Sequence, residues 1–152
     1  MLEKRFRVNL KDVYGSAIIL ASQAHAGQVD KSGSPYIEHP LRVAITMPTR
    51  MLKVAAVLHD VVEDTDVTLG YLTLAGFSPV LVDIIDHISK RDGEAYEDFI
   101  KRCCTSKDAR IVKTADINDN MSPTRLLKMS PDKRARLILK YTNALNIIQK
   151  YE

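Results

Sequence analysis

Four residues that bind metals or move protons crowd one short apolar stretch, Leu58-His59-Asp60-Val61-Val62-Glu63-Asp64-Thr65. On a helix turning about 100° per residue, His59, Asp60, Glu63 and Asp64 span about 140° and share one side. Burying that many ionisable groups without partners is costly, so the stretch calls for a compensating cation. For the His-Asp pair taken alone, a hydrogen bond satisfied in the core, with Glu63 and Asp64 exposed at the helix end, is the alternative. Two further sites add to the pattern. Tyr14, Ile18, Ala21 and His25 follow at i, i+4, i+7 and i+11 on one helical stripe, where a lone histidine is by default a packed core residue. Lys113, Asp116 and Asn120 fall within about 60° of one another on a later helix. His25, His59, Asp60 and Asp116 together make a mixed nitrogen and oxygen set suited to Mn²⁺, Fe²⁺ or Mg²⁺ and poorly suited to a soft-metal site. Such a set leaves coordination positions for water and substrate, which is the arrangement of a catalytic centre.

Helices must position these groups. Gly27 through Pro35 reads as a loop after the first helix. A short helix over 41–47 is opened by Pro40 and closed before Pro48, and Met51 to Glu63 reads as one buried helix. Thr68 is an N-cap for a helix ending at Gly76. Further helices are expected over 79–89, 94–103, 107–118 and 131–150, the last with Ser130 as N-cap before Pro131. No segment alternates as a strand does, so the class is all-α, a compact bundle of about seven to nine helices.

The chain has 152 residues, 45% hydrophobic and 27% charged, which suits one domain spanning 1–152. The two cysteines, Cys103 and Cys104, are adjacent and offer neither a bridge nor a zinc spacing, which implies a reducing compartment. The longest stretch without Asp, Glu, Lys or Arg, 13–29, contains Gln23, His25 and Gln28 and is too polar to span a bilayer. The N-terminus lacks the apolar core of a signal peptide, so the expected location is the cytoplasm. Residues 1–100 hold 10 basic and 14 acidic side chains, and residues 101–152 hold 12 and 5. The basic C-terminal third is either a solvated helix face or a binder of phosphates. Without aromatic interleaving or a helix-turn-helix pattern, nucleic acid is an improbable partner.

The order His25, His59-Asp60, Asp116 resembles the H...HD...D signature of the HD phosphohydrolase superfamily. The blocks Ala24-His25-Ala-Gly27-Gln28, Lys31-Ser-Gly33-Ser-Pro35-Tyr36-Ile-Glu-His39-Pro40, Leu58 through Thr65 and Val112-Lys113-Thr-Ala115-Asp116 narrow the likeness. Over residues 13–125 they resemble the hydrolase domain of RelA/SpoT-type alarmone enzymes and the small stand-alone alarmone hydrolases. The resemblance implies removal of the 3′-pyrophosphate of (p)ppGpp, with one Mn²⁺ per chain and GDP or GTP and pyrophosphate as products. By the same resemblance His25, His59, Asp60 and Asp116 are the ligands, Glu63 and Asp64 activate or position the water, and Asn120 lies near the substrate. Lys113, Lys90 and Arg91 are candidates for neutralising phosphate charge, or are solvent-facing charges. His39 is read as fixing the loop or capping the next helix, His87 as structural or surface, and Tyr96 as packing against a neighbouring helix.

Two departures stand out. The text before the last ligand reads Lys113-Thr-Ala-Asp116 where the family usually has Leu second. The first helix opens Tyr14-Gly15-Ser16-Ala17 where relatives carry basic residues that contact the purine, which leaves guanine against adenine open. The chain ends before a nucleotidyl-transferase domain could begin, so hydrolysis without synthesis is expected. A broader HD nucleotide phosphohydrolase, including one acting on ppApp, and a non-catalytic nucleotide-binding module are the competing readings. Two carboxylates kept beside a metal argue against the last.

Overall fold

Side-chain oxygens start most of the helices. Asp12, Thr49, Thr68, Ser78, Ser106 and Ser130 each accept the N–H three residues on, satisfying a donor that the first turn leaves open. The structure, a computed structural model, describes residues 6–152. The helical segments among them are α1 (Val13–Ala24), α2 (Glu38–Ile45), α3 (Arg50–Leu58), α4 (Val61–Asp64), α5 (Leu69–Ala75), α6 (Pro79–Ile88), α7 (Tyr96–Cys104), α8 (Lys107–Asn120), α9 (Pro123–Leu126) and α10 (Pro131–Gln149). Apart from an isolated bridge between Val29 and Pro35, the described residues form no β-structure, and the class is all-α. The first five residues, part of the stretch tested for a signal peptide, lie outside the described ones.

Two departures from the sequence reading shape the site. Met51 to Glu63 is not one helix: α3 stops at Leu58, and His59 and Asp60 form a turn before α4. The cause is local. His59 Nδ1 donates to the Ala56 carbonyl at 2.6 Å, the group that a continuing helix would give to the N–H of Asp60. Helix α2 also begins earlier than Pro40, so that His39 and Pro40 both sit in its first turn, where proline's missing N–H costs no hydrogen bond.

Helix α3 is the central strut. Val54 through Leu58 are all buried, and the helix packs against α1, α2, α6 and α8. Leu20, Leu58, Leu72, Ile85, Ile88, Phe99 and Ile100 fill the core around it. Because α2 and α8 pack on each other and on α3, the C-terminal end of α3 faces side chains from both. Cys103 and Cys104 are buried and unbridged.

Candidate metal centre and active site

Three parts of the chain converge at that end of α3. The turn contributes His59 and Asp60, α2 contributes His39 and α8 contributes Asp116, and one ligand atom of each lies within 4.8 Å of the others. His39 Nε2 is 3.0 Å from Asp116 Oδ1 and 3.8 Å from Asp60 Oδ2. His59 Nε2 is 2.9 Å from Asp60 Oδ2 and 3.4 Å from Asp116 Oδ1. His25, expected as a ligand, is not in this group, and His39, read from the sequence as fixing the loop or capping the next helix, occupies the place expected of His25. The reason is the return of the loop after α1. His25 ends that helix with Nδ1 2.9 Å from Gln28 Oε1, and its ring lies 4.7 Å from that of Tyr36. Tyr36 in turn touches the His39 ring and donates its hydroxyl to Asp60. His25 therefore backs a residue that supports the cluster.

The donor set fits a divalent cation. His59 Nδ1 donates to a backbone carbonyl, which leaves a lone pair on Nε2. That Nε2 is buried and has no hydrogen-bond partner although two carboxylate oxygens lie within 3.4 Å. A nitrogen aimed at carboxylates without bonding them is suited to share a metal with them. Without the cation, protons take over its positive charge. Burial disfavours a charged His59, but Asp60 and Asp116 outweigh it and raise its pKa well above the usual value. Burial would push both carboxylates up. Asp60 is instead held low chiefly by His59, and Asp116 chiefly by Lys113, whose Nζ donates to Oδ2 at 2.7 Å.

A cavity of about 350 Å³ opens beside the cluster, with Asp60, Glu63, Asp64 and Asp116 in its lining. Burial, followed by the charge of Asp60, raises the pKa of Asp64, and burial also raises that of Glu63 against the pull of a bond from the Lys90 N–H at 3.1 Å. Both are thus more basic than free carboxylates. Lys31, Lys90, Lys113, Arg125 and Lys140 supply positive charge around the same space, and Tyr36, Tyr96, Phe99 and Tyr141 supply aromatic walls. Asn120 lines it too, donating to Asp116 Oδ1 at 2.8 Å.

Other expectations meet mixed outcomes. Arg91 points elsewhere, its guanidinium 3.2 Å from Asp86 and its backbone N–H on Glu94. Tyr96 both packs against Phe99 and lines the cavity, under the Lys140 ammonium at 4.2 Å. His87 is structural, its ring nitrogen 2.8 Å from the Asp83 carbonyl. Gly15 and Ser16 do not line the cavity: the Gly15 N–H donates to Asp12, and Ser16 Oγ accepts from Asn9. The sequence reading gives no role to Lys31, Arg125, Lys140 and Tyr141, although Lys31 opens one of the blocks that carry the resemblance. The periodicity of α10, which puts Leu137, Tyr141, Ala144 and Ile148 on its buried side, points to Tyr141.

Comparison with known proteins adds to this geometry. Residues 17–145 match the family model of the HD domain. Over 134 residues the chain is 40% identical to a probable GTP pyrophosphokinase of Mycobacterium leprae, which uses 79% of this chain and 16% of that protein. Over 134 residues it is 36% identical to a guanosine-3′,5′-bis(diphosphate) 3′-pyrophosphohydrolase of Vibrio cholerae, covering 78% of this chain and 19% of that protein. The chain thus spans less than a fifth of the length of these relatives. Among solved structures it matches one described as a metazoan ortholog of SpoT that hydrolyzes ppGpp, with a TM-score of 0.76 and 20% identity over 95% of this chain and 88% of that one. That likeness speaks for the fold.

Proposed function

The chain belongs to the HD-domain family, and on that premise we propose that it removes the 3′-diphosphate of a guanosine tetra- or pentaphosphate, releasing pyrophosphate and GDP or GTP. The observation that carries this reading is a single cavity lined by Asp60 and Asp116 of the two-histidine, two-aspartate cluster, by the Glu63-Asp64 pair and by Lys31, Lys113 and Lys140. His39, His59, Asp60 and Asp116 would hold the divalent cation; their nitrogen and oxygen mixture suits Mn²⁺, Fe²⁺ or Mg²⁺, and Mn²⁺ is the choice that the family resemblance supports. When bound, the cation supplies Lewis acidity, polarising a phosphoryl oxygen and acidifying water.

The chain's own groups do the rest. Water attacks the phosphorus carried on the ribose 3′ oxygen, the bond from that phosphorus to the 3′ oxygen breaks, and the 3′ oxygen leaves as a hydroxyl, its proton balancing the one that the attacking water gives up. Glu63 and Asp64, made more basic by their surroundings, are placed to orient the water and accept its proton. Lys31, Lys113 and Lys140 neutralise the phosphates, which is most of what a protein contributes to phosphoryl transfer. Lys113 keeps its charge because Asp116, Tyr96 and Asp60 together outweigh its burial. Asn120 and Lys90 complete the lining. The choice of a 3′-diphosphate is supported by the names of the relatives, and guanine follows from the same source. None of the described helices is long and apolar enough to cross a membrane. A nucleotide substrate and two unbridged cysteines suit the cytoplasm.

The test is product analysis after incubating the Mn²⁺-loaded protein with ppGpp, ppApp and an ordinary 5′-mononucleotide in parallel. Pyrophosphate released from ppGpp is the expected result. Orthophosphate from the mononucleotide, with neither alarmone consumed, would replace this reading with a broader nucleotide phosphohydrolase.

A further inference from the structure

His39 Nδ1 faces two groups that demand opposite tautomers. Asp119 Oδ2 lies 2.7 Å away and can only accept a proton, while Arg125 Nη1 lies 3.0 Å away and can only donate one. If Asp119 prevails, Nδ1 carries the proton and the lone pair of Nε2 faces Asp60, His59 and Asp116. If Arg125 prevails, the proton sits on Nε2, where Asp116 Oδ1 at 3.0 Å would accept it and a cation would be shut out. The surroundings favour Asp119. Arg125 Nη1 has other acceptors, Asp119 Oδ2 at 2.7 Å and Asn120 Oδ1 at 3.0 Å. Arg42 grips both oxygens of the same carboxylate, Nε to Oδ1 at 2.9 Å and Nη2 to Oδ2 at 3.1 Å. Held on these sides, the carboxylate cannot swing away from the imidazole or into the cluster.

We propose that Asp119, clamped by Arg42 and Arg125, is a positioning residue that fixes His39 in the Nδ1–H tautomer and thereby makes Nε2 available to a divalent cation. This rests on the reading that the cluster takes such a cation. Partners of this kind orient a histidine ligand and raise its basicity, and their loss typically lowers metal affinity about 10- to 100-fold.

The experiment titrates the full chain with Zn²⁺, chosen because it is diamagnetic, by calorimetry, and follows the His39 ring by ¹⁵N NMR in the loaded protein. Wild type should show a proton retained on Nδ1 and coordination through Nε2. Asp119→Leu should weaken Zn²⁺ binding about 10- to 100-fold and lose the slowly exchanging Nδ1 proton. Asp119→Asn, whose amide oxygen still accepts from Nδ1–H, should recover most of both. Wild-type affinity in Asp119→Leu, or equal loss in Asp119→Asn and Asp119→Leu, would overturn the proposal. Wild-type protein that takes up no Zn²⁺ would instead remove the cation reading beneath it.

Discussion

At the scale of single residues, two histidines compete for one role and geometry separates them. His39 has both nitrogens engaged with aspartates of α8, whereas His25 reaches the cluster only through Tyr36. Replacing a ligand removes a bond to the cation, and replacing a support only loosens it. We expect His39→Ala and Asp60→Ala to weaken Mn²⁺ binding more than about 100-fold and His25→Ala about 10-fold or less, measured by metal titration of each purified variant. Glu63 touches no ligand atom of the cluster in a bond of its own, and its carboxylate faces the cavity. Glu63→Gln should therefore retain the metal and lower kcat by about 10²- to 10⁴-fold, with metal content and turnover determined on one preparation. A wild-type rate would remove Glu63 from the mechanism. Protonation follows the same geometry. His59 and His39 have raised pKa values without the cation, because flanking carboxylates outweigh burial. Metal uptake competes with protons for these nitrogens, so affinity should rise with pH and calorimetry in buffers of different ionisation enthalpy should detect proton release.

At the scale of elements, the helix ends carry most of the local information. Thr68 and Gly76 bound α5 as their residue types require: the Thr68 side chain accepts the Tyr71 N–H, and Gly76 closes the helix at φ 106°. A Cβ at Gly76 would meet only Val8 at 3.8 Å, so the cost of Gly76→Ala is in the backbone and not in a clash. That change should destabilise the fold by about 1–2 kcal/mol while leaving metal affinity unchanged, as urea unfolding and metal titration would show. The α3–α4 turn obeys a different logic. Apolar residues continue past Leu58 at Val61 and Val62, but the side chain of His59, by taking the Ala56 carbonyl, interrupts the helix.

At the scale of the molecule, charge is distributed by function as well as by solvation. Of the basic excess in the C-terminal third, Lys113, Arg125 and Lys140 line the cavity, while Lys107, Lys128, Arg136 and Lys150 are exposed. Arg102 ties α7 to the end of α6 through the carbonyls of Asp86 and Ser89 and pairs with Glu94 at 2.7 Å. That bond depresses the Glu94 carboxyl from its ordinary range to about 2. A depressed carboxylate stabilises the fold above its unfolded pKa, and the contribution is lost as pH falls through the folded one. Arg102→Met should therefore be less stable than wild type at pH 7, and the part of the difference due to this pair should shrink between about pH 4.5 and 2, followed by urea melts across that range.

Local chemistry was legible in the chain alone. The His59-Asp60 pair, Asp116 with Lys113 and Asn120 on its face, the helix caps and the all-α class each depend on residues within a few positions of one another, where helical spacing governs neighbourhood. The resemblance added the order of the blocks and a chemistry to expect. Which histidine completes the cluster was settled by long-range packing. His25 and His39 both lie before the His-Asp pair in the chain, and sequence order carries no distance. The loop after α1 turns back so that Tyr36 meets His25 and Asp60, and α2 then packs on α8 with His39 against Asp116 and Asp119. Lys31 and Lys140 line the same cavity for the same reason, since the loop after α1 and α10 share it only once the core between them has been buried.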